Sequence, residues 1–168
     1  MTVKRILKTF LTLIGSLGIC LLAGYMGWYP ALSGVPSWYA GLIKPIFSPP
    51  SWVFSPAWII SFILMGFTLF LILQAGTRQH DVMFGLILFI AQLLFTLAWA
   101  YTFFGTHAIF FSFLFMVALV ATLLCAVIQI FRFSVTGGML MIPYLFWVFY
   151  LSYLNYGIMT LNIISLGF

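Results

Sequence analysis

The chain has 168 residues, 65% of them hydrophobic and 4% charged, with a mean hydropathy of +1.27. A water-soluble domain carries about 25% charged residues, and a chain this short has too little interior to hide so much apolar surface from water. The formal net charge of +5 sets six basic residues against one acid, Asp81; the cations stand singly between apolar runs, so they mark topology rather than a nucleic-acid surface.

At roughly 20 apolar residues per helical crossing, the chain reads as one domain, 1–168, an all-α membrane protein built as a five-transmembrane-helix bundle. The first span is predicted at 6–28. Its basic start (Lys4, Arg5, Lys8) and apolar stretch resemble a signal peptide, but no clear cleavage site follows, and Ile19 before Cys20 makes a poor lipobox. A retained first helix is expected. A long loop rich in Pro, Gly, Ser and Trp is expected over 29–50. The second span, 52–73, tolerates Pro56 near its start, where a missing N–H costs least. After a polar turn at 76–81, residues 82–131 carry no formal charge and are too many for one helix. The Gly105-Thr106-His107 step divides them into spans at 82–104 and 108–131. A turn at 134–138 leads into the last span, 139–166.

These runs are uniformly apolar, which excludes a β-barrel of alternating strands. Lys4, Arg5, Lys8, Arg78 and Arg132 fall on the side of the N-terminus and only Lys44 on the other. That bias predicts a cytoplasmic N-terminus, and a bacterial inner membrane is the expected location.

Polar side chains within membrane helices usually face the bundle interior. Gln92, Thr96, Trp99 and Phe103 share one helical face, as do Tyr144, Trp147, Leu151, Asn155, Ile158 and Asn162, and likewise Ser55, Trp58, Phe62 and Met65. Such stripes serve either as hydrogen-bonding glue between helices or as the lining of an apolar pocket with a few polar points; spacing alone leaves both open. Ser16, Cys20 and Gly24, with Ala23 and Gly27, form a small-residue packing seam on the first span.

No carboxylate lies within a span, which speaks against an ion-coupled transporter. Cys20 and Cys125 sit deep in apolar runs and are expected to be buried and unreactive. No metal-ligand spacing and no catalytic set can be assembled; His107 reads as interfacial and His80 as solvated.

The stretch Trp38-Tyr39-Ala40-Gly41-Leu42-Ile43-Lys44-Pro45-Ile46-Phe47-Ser48-Pro49-Pro50-Ser51-Trp52-Val53-Phe54-Ser55-Pro56-Ala57-Trp58, followed by Met65-Gly66, resembles the translocator protein or tryptophan-rich sensory protein (TspO/MBR) family. Gln92, Trp99 and Phe103-Phe104-Gly105 add a second match, and Pro143-Tyr144-Leu145-Phe146-Trp147, Leu154-Asn155 and Leu161-Asn162 a third. The resemblance implies a five-helix homodimer that binds tetrapyrroles such as protoporphyrin IX and haem, or other apolar small molecules, under the loop between helices one and two, with no required cofactor. It implies a lining of Trp38, Tyr39, Pro50, Trp58, Gln92, Thr96, Trp99, Trp147, Leu151, Leu154 and Asn155.

This chain departs from the family pattern at Thr96, where Asn is usual, and also at Phe47, Leu97, Phe115 and Leu151. Its sterol-contact pattern is absent from the last span, where no basic residue follows Tyr153 or Tyr156. The function implied is sensing, storage or transport of a tetrapyrrole. A porphyrin-degrading enzyme using Trp38, Tyr39 and Trp147, and a structural subunit with a vestigial pocket, stand as alternatives.

Overall fold

In hydrocarbon every backbone N–H and C=O must be satisfied within the protein, so long apolar segments become helices. The computed structural model describes residues 3–162. They form α1 (Val3–Gly34), α2 (Phe54–Ala75), α3 (His80–Ala100), α4 (Ile109–Phe133) and α5 (Val135–Asn162), with no strand among the described residues. Each of the five is long and apolar enough to cross a membrane, and the chain is a multi-pass membrane protein. Neighbours around the ring run α1, α2, α5, α4, α3 and back to α1. The predicted last span extends to 166, beyond the described residues.

The expected loop over 29–50 is largely helix. α1 continues through Pro30 to Gly34, and a wide turn at Val35–Tyr39 carries Pro36 at its start. Membrane helices tolerate such prolines because neighbouring groups take over the freed backbone. Here packing holds the extension: Ala31 is buried, and a Cβ at Gly34 would stand 2.9 Å from the Phe104 carbonyl oxygen. The irregular link shrinks to 42–50, followed by the short turn Ser51–Val53.

The break at Gly105-Thr106-His107 is present. α3 ends in a wide turn, Tyr101–Gly105, closed by Thr106 N–H donating to the Tyr101 carbonyl at 3.0 Å. His107 then reverses the chain at φ 58°. The turn expected at 134–138 is instead the first turn of α5, which Ser134 caps by accepting the Gly137 N–H at 3.1 Å. Gly137 and Gly138 are there for packing, and a Cβ at Gly138 would lie 2.5 Å from Phe131 Cγ.

The small-residue seam holds α1 to its neighbours. Ser16 and Cys20 are buried, and a Cβ on Gly24 would meet Phe62 Cδ2 at 2.5 Å. Across the same contact, Leu17 Cα sits 2.9 Å from where a Gly66 Cβ would be. Cys125, expected to be buried like Cys20, is exposed on the outer face of α4. Periodicity within a uniformly apolar helix does not say which face meets lipid.

Candidate ligand site

α3 turns Gln92, Thr96, Trp99 and Phe103 inward, all of them buried, and α5 does the same with Tyr144, Leu151, Leu154 and Asn155. Part of this stripe is glue. The Thr96 and Tyr144 hydroxyls are bonded at 2.8 Å, Gln92 Nε2 donates to Met65 Sδ at 3.5 Å, and Asn155 Nδ2 donates to Ser112 Oγ at 3.3 Å.

The rest of the polar set has nothing to bond. Trp99 Nε1, Trp147 Nε1, the Tyr39 hydroxyl and Gln92 Oε1 are buried without a hydrogen-bond partner. Buried polar atoms are almost always paired, so several orphans in one region of the bundle mark places where a further atom would be welcome.

Aromatic rings surround these orphans. Trp58 stacks on Phe62 (5.6 Å, 25°), lies 5.9 Å from Trp99 and meets Trp147 edge-on at 6.5 Å. Trp99 stacks on Phe103 at 5.8 Å, and Tyr39 sets its ring edge-on to Phe54 at 5.9 Å.

Two chambers result. One, of about 20 Å³, lies between α1, α2 and α3 and is walled by Gly24, Trp28, Ala31, Trp58, Phe62, Thr96, Trp99 and Phe104, among others. The second, of about 10 Å³, lies toward the 42–50 end and is walled by Tyr39, Phe54, Trp99, Phe103, Phe104, Leu151, Leu154, Asn155 and Ile158. Trp99 and Phe104 wall both, so these two side chains are the partition.

The predicted lining is therefore split. Trp58, Thr96 and Trp99 face the first chamber; Tyr39, Trp99, Leu151, Leu154 and Asn155 face the second. Gln92 is buried one turn along α3 from Thr96, and Trp147 packs against Trp58, Phe54 and Tyr150. Trp38 lies outside both chambers, half-buried and stacked on His107 at 4.4 Å and 18°. Pro50 is exposed; its carbonyl accepts the Val53 N–H at the turn into α2. Sequence reasoning missed Gly24, Trp28 and Ala31 on α1, and Phe54 and Phe104. Gly24 reads in the sequence as part of a packing seam, and ending the helix at residue 28 leaves Ala31, three residues beyond Trp28, off that face.

The 42–50 link is fastened to α5. Asn162 donates to the Ile43 carbonyl at 2.8 Å and accepts the Ile43 N–H at 3.0 Å, and the Tyr150 hydroxyl donates to the Phe47 carbonyl at 2.8 Å. Pro45 packs directly on Gly157. Lys44 Nζ donates to the carbonyls of Ala40 (3.1 Å) and Leu42 (3.3 Å) and lies 4.9 Å from the centre of the Tyr39 ring. Placing a cation at the carbonyl end of a helix is favourable. Burial, with a smaller contribution from Tyr150, pushes the Tyr39 phenol up to about 12, so it stays a neutral hydroxyl at ordinary pH. No cluster of His, Cys, Asp or Glu among the described residues could hold a metal ion. The sole acid, Asp81, lies at the start of α3, where it accepts from Gln129 Nε2 at 3.3 Å.

A model of the TspO/MBR family matches residues 16–161. The chain belongs to the TspO/MBR family. It is 36% identical over 155 residues to the tryptophan-rich protein TspO of Chlorobaculum tepidum, covering 92% of this chain and 98% of that protein. It is 31% identical over 152 residues to the tryptophan-rich protein TspO of Archaeoglobus fulgidus, covering 90% and 97%. To the translocator protein of Sus scrofa it is 29% identical over 146 residues, covering 86% and 83%. The TspO/MBR match takes in every residue that walls the two chambers.

Proposed function

We propose that this TspO/MBR protein binds a flat, apolar molecule inside the bundle, a tetrapyrrole such as protoporphyrin IX or haem or a related compound, in order to sense, store or move it. It would do so as a homodimer in a bacterial inner membrane, with the N-terminus cytoplasmic. The observation that carries this reading is Trp99: buried, its N–H unpaired, on the wall that both chambers share.

Each chamber alone is far smaller than the roughly 300–1,000 Å³ of small-molecule sites. A ligand of that size is therefore admitted only as Trp99, Phe104 and the rings around them move apart and open one cavity from the two. Its walls are indole and phenyl faces, which suit a flat π-system through offset or edge contacts. The unpaired N–H and O–H groups of Trp99 and Tyr39 supply hydrogen bonds to acceptor atoms at the ligand edge. Binding then satisfies groups that are unsatisfied in the empty bundle, and affinity follows from polar complementarity as well as apolar burial.

Titration of the protein in lipid nanodiscs with protoporphyrin IX, followed by tryptophan fluorescence, tests the reading. Saturable quenching that weakens in Trp147→Phe and Asn155→Ala supports it. Unsaturable quenching, identical in all three proteins, means that the porphyrin dissolves in the lipid, and the tetrapyrrole reading fails.

A further inference from the structure

Outside the first chamber, between α1 and α2, runs a groove of about 240 Å³ that opens on the surface facing lipid. Its outer rim is apolar and exposed, formed by Leu21, Tyr25 and Ile59. Its floor is Gly24, Trp28, Trp58 and Phe62, and the same four residues form the outer wall of the first chamber. Groove, first chamber and second chamber thus lie in series, each sharing a wall of side chains with the next. Phe62 and Trp58 separate the first two, and Trp99 and Phe104 the last two.

The wall between groove and chamber is one side chain deep, and its closest contact is Phe62 against the bare backbone of Gly24. A glycine offers no side chain to interlock with the ring, so at this point Phe62 alone fills the gap between the helices, and a methyl at position 24 would press on it. The other end of the bundle is closed differently. The 42–50 link is held there by hydrogen bonds from Asn162 and Tyr150 and by the Pro45–Gly157 contact, all of which must break before the link lifts. An apolar ligand is concentrated in the bilayer, where the groove opens, and not in the water above the link.

We infer that the groove between α1 and α2 is a lateral docking site and portal, through which an apolar ligand dissolved in the bilayer reaches the chambers past Gly24 and Phe62. The inference rests on the proposed ligand site and adds its route. Ser55 marks the groove on its α2 side. Ser55 itself walls neither chamber, so a large side chain there fills the groove from the lipid side and leaves every chamber residue unsubstituted.

The test is stopped-flow mixing of the protein in nanodiscs with vesicles carrying protoporphyrin IX, followed by tryptophan quenching, for the unmodified protein, Ser55→Phe, Gly24→Ala and Asn162→Leu. Ser55→Phe is expected to slow association and release together by about fivefold or more, with Kd changed far less, because a blocked route alters both rates equally. Gly24→Ala is expected to act in the same direction. Ser55→Phe serves as the second variant because it adds bulk on the lipid side and leaves the α1–α2 contact intact. Asn162→Leu is expected to leave both rates unaltered. Unaltered rates in Ser55→Phe, or faster rates in Asn162→Leu, overturn the portal while leaving the ligand site standing. Absence of saturable quenching in the unmodified protein overturns both.

Discussion

Asn162, at the last described turn of α5, holds Ile43 by both sides of its backbone, donating to its carbonyl at 2.8 Å and accepting its N–H at 3.0 Å. One carboxamide thus does for the 42–50 link what a neighbouring strand does in a sheet, and it ties residues far apart in sequence. The bonds are exposed, so each contributes about 0.5–1.5 kcal/mol. Asn162→Leu is expected to lower stability by about 1–2 kcal/mol and to speed protease cleavage within 42–50. Limited proteolysis checks this; an unchanged cleavage rate would show that the carboxamide does not restrain the link.

Gly157→Ala sets two effects against each other. Alanine favours a helix over glycine by about 0.8–1.0 kcal/mol, but its Cβ would occupy space already filled by the Pro45 ring. Overpacking typically costs about 1–3 kcal/mol, so the net change is expected to be destabilising. A thermal melt in detergent decides the sign, and a raised Tm would mean that the link yields freely.

Thr96 and Tyr144 form a buried hydroxyl pair at 2.8 Å. Removing one member leaves the other unsatisfied, at about 1–3 kcal/mol, whereas removing both can be nearly neutral. Thr96→Val is therefore expected to be less stable than Thr96→Val/Tyr144→Phe. A double-mutant cycle of melting temperatures checks the order, and additive losses would contradict it.

Tyr39 carries a pH signature. Its phenol is raised from 10.0 to about 12 by burial, so the folded protein holds that proton more tightly than the unfolded chain does. The resulting stability is complete below pH 10 and is lost as the pH rises through about 12. The difference in Tm between the unmodified protein and Tyr39→Phe is expected to be flat from neutral pH to about 9 and to shift against the unmodified protein at higher pH. A pH-independent difference would show that the hydroxyl is solvated.

Five crossings were legible because lipid as solvent leaves only helices, and the inward faces of α3 and α5 because buried polar residues such as Gln92, Thr96 and Asn155 recur at helical spacing. The end of α1 was not legible. Pro30 and Pro36 signal a loop in any local reading, and only contact with Phe104 and its neighbours shows why the helix persists. The family resemblance named Trp38 and Pro50 as lining, whereas the structure sets Trp38 against His107 and leaves Pro50 exposed. Gly24, Trp28 and Ala31 carry no polar atom in their side chains beyond one indole N–H, so nothing distinguished them from packing residues. The two orphaned indoles were equally invisible, since a missing partner is a fact of three-dimensional packing.

The most direct test of an internal ligand site is protoporphyrin IX titration, together with a thermal melt, of the protein in which Trp99 is replaced by benzothienylalanine. That side chain keeps the bicyclic shape and removes the N–H. With the unpaired donor gone, the empty protein is expected to be as stable as the unmodified one or more so, since an unsatisfied buried group costs about 1–3 kcal/mol. Affinity for the porphyrin is expected to fall about tenfold, the equivalent of roughly 1.4 kcal/mol. Lower stability with unchanged affinity would contradict the account, placing the Trp99 N–H among the bonds that hold the bundle together and the ligand elsewhere.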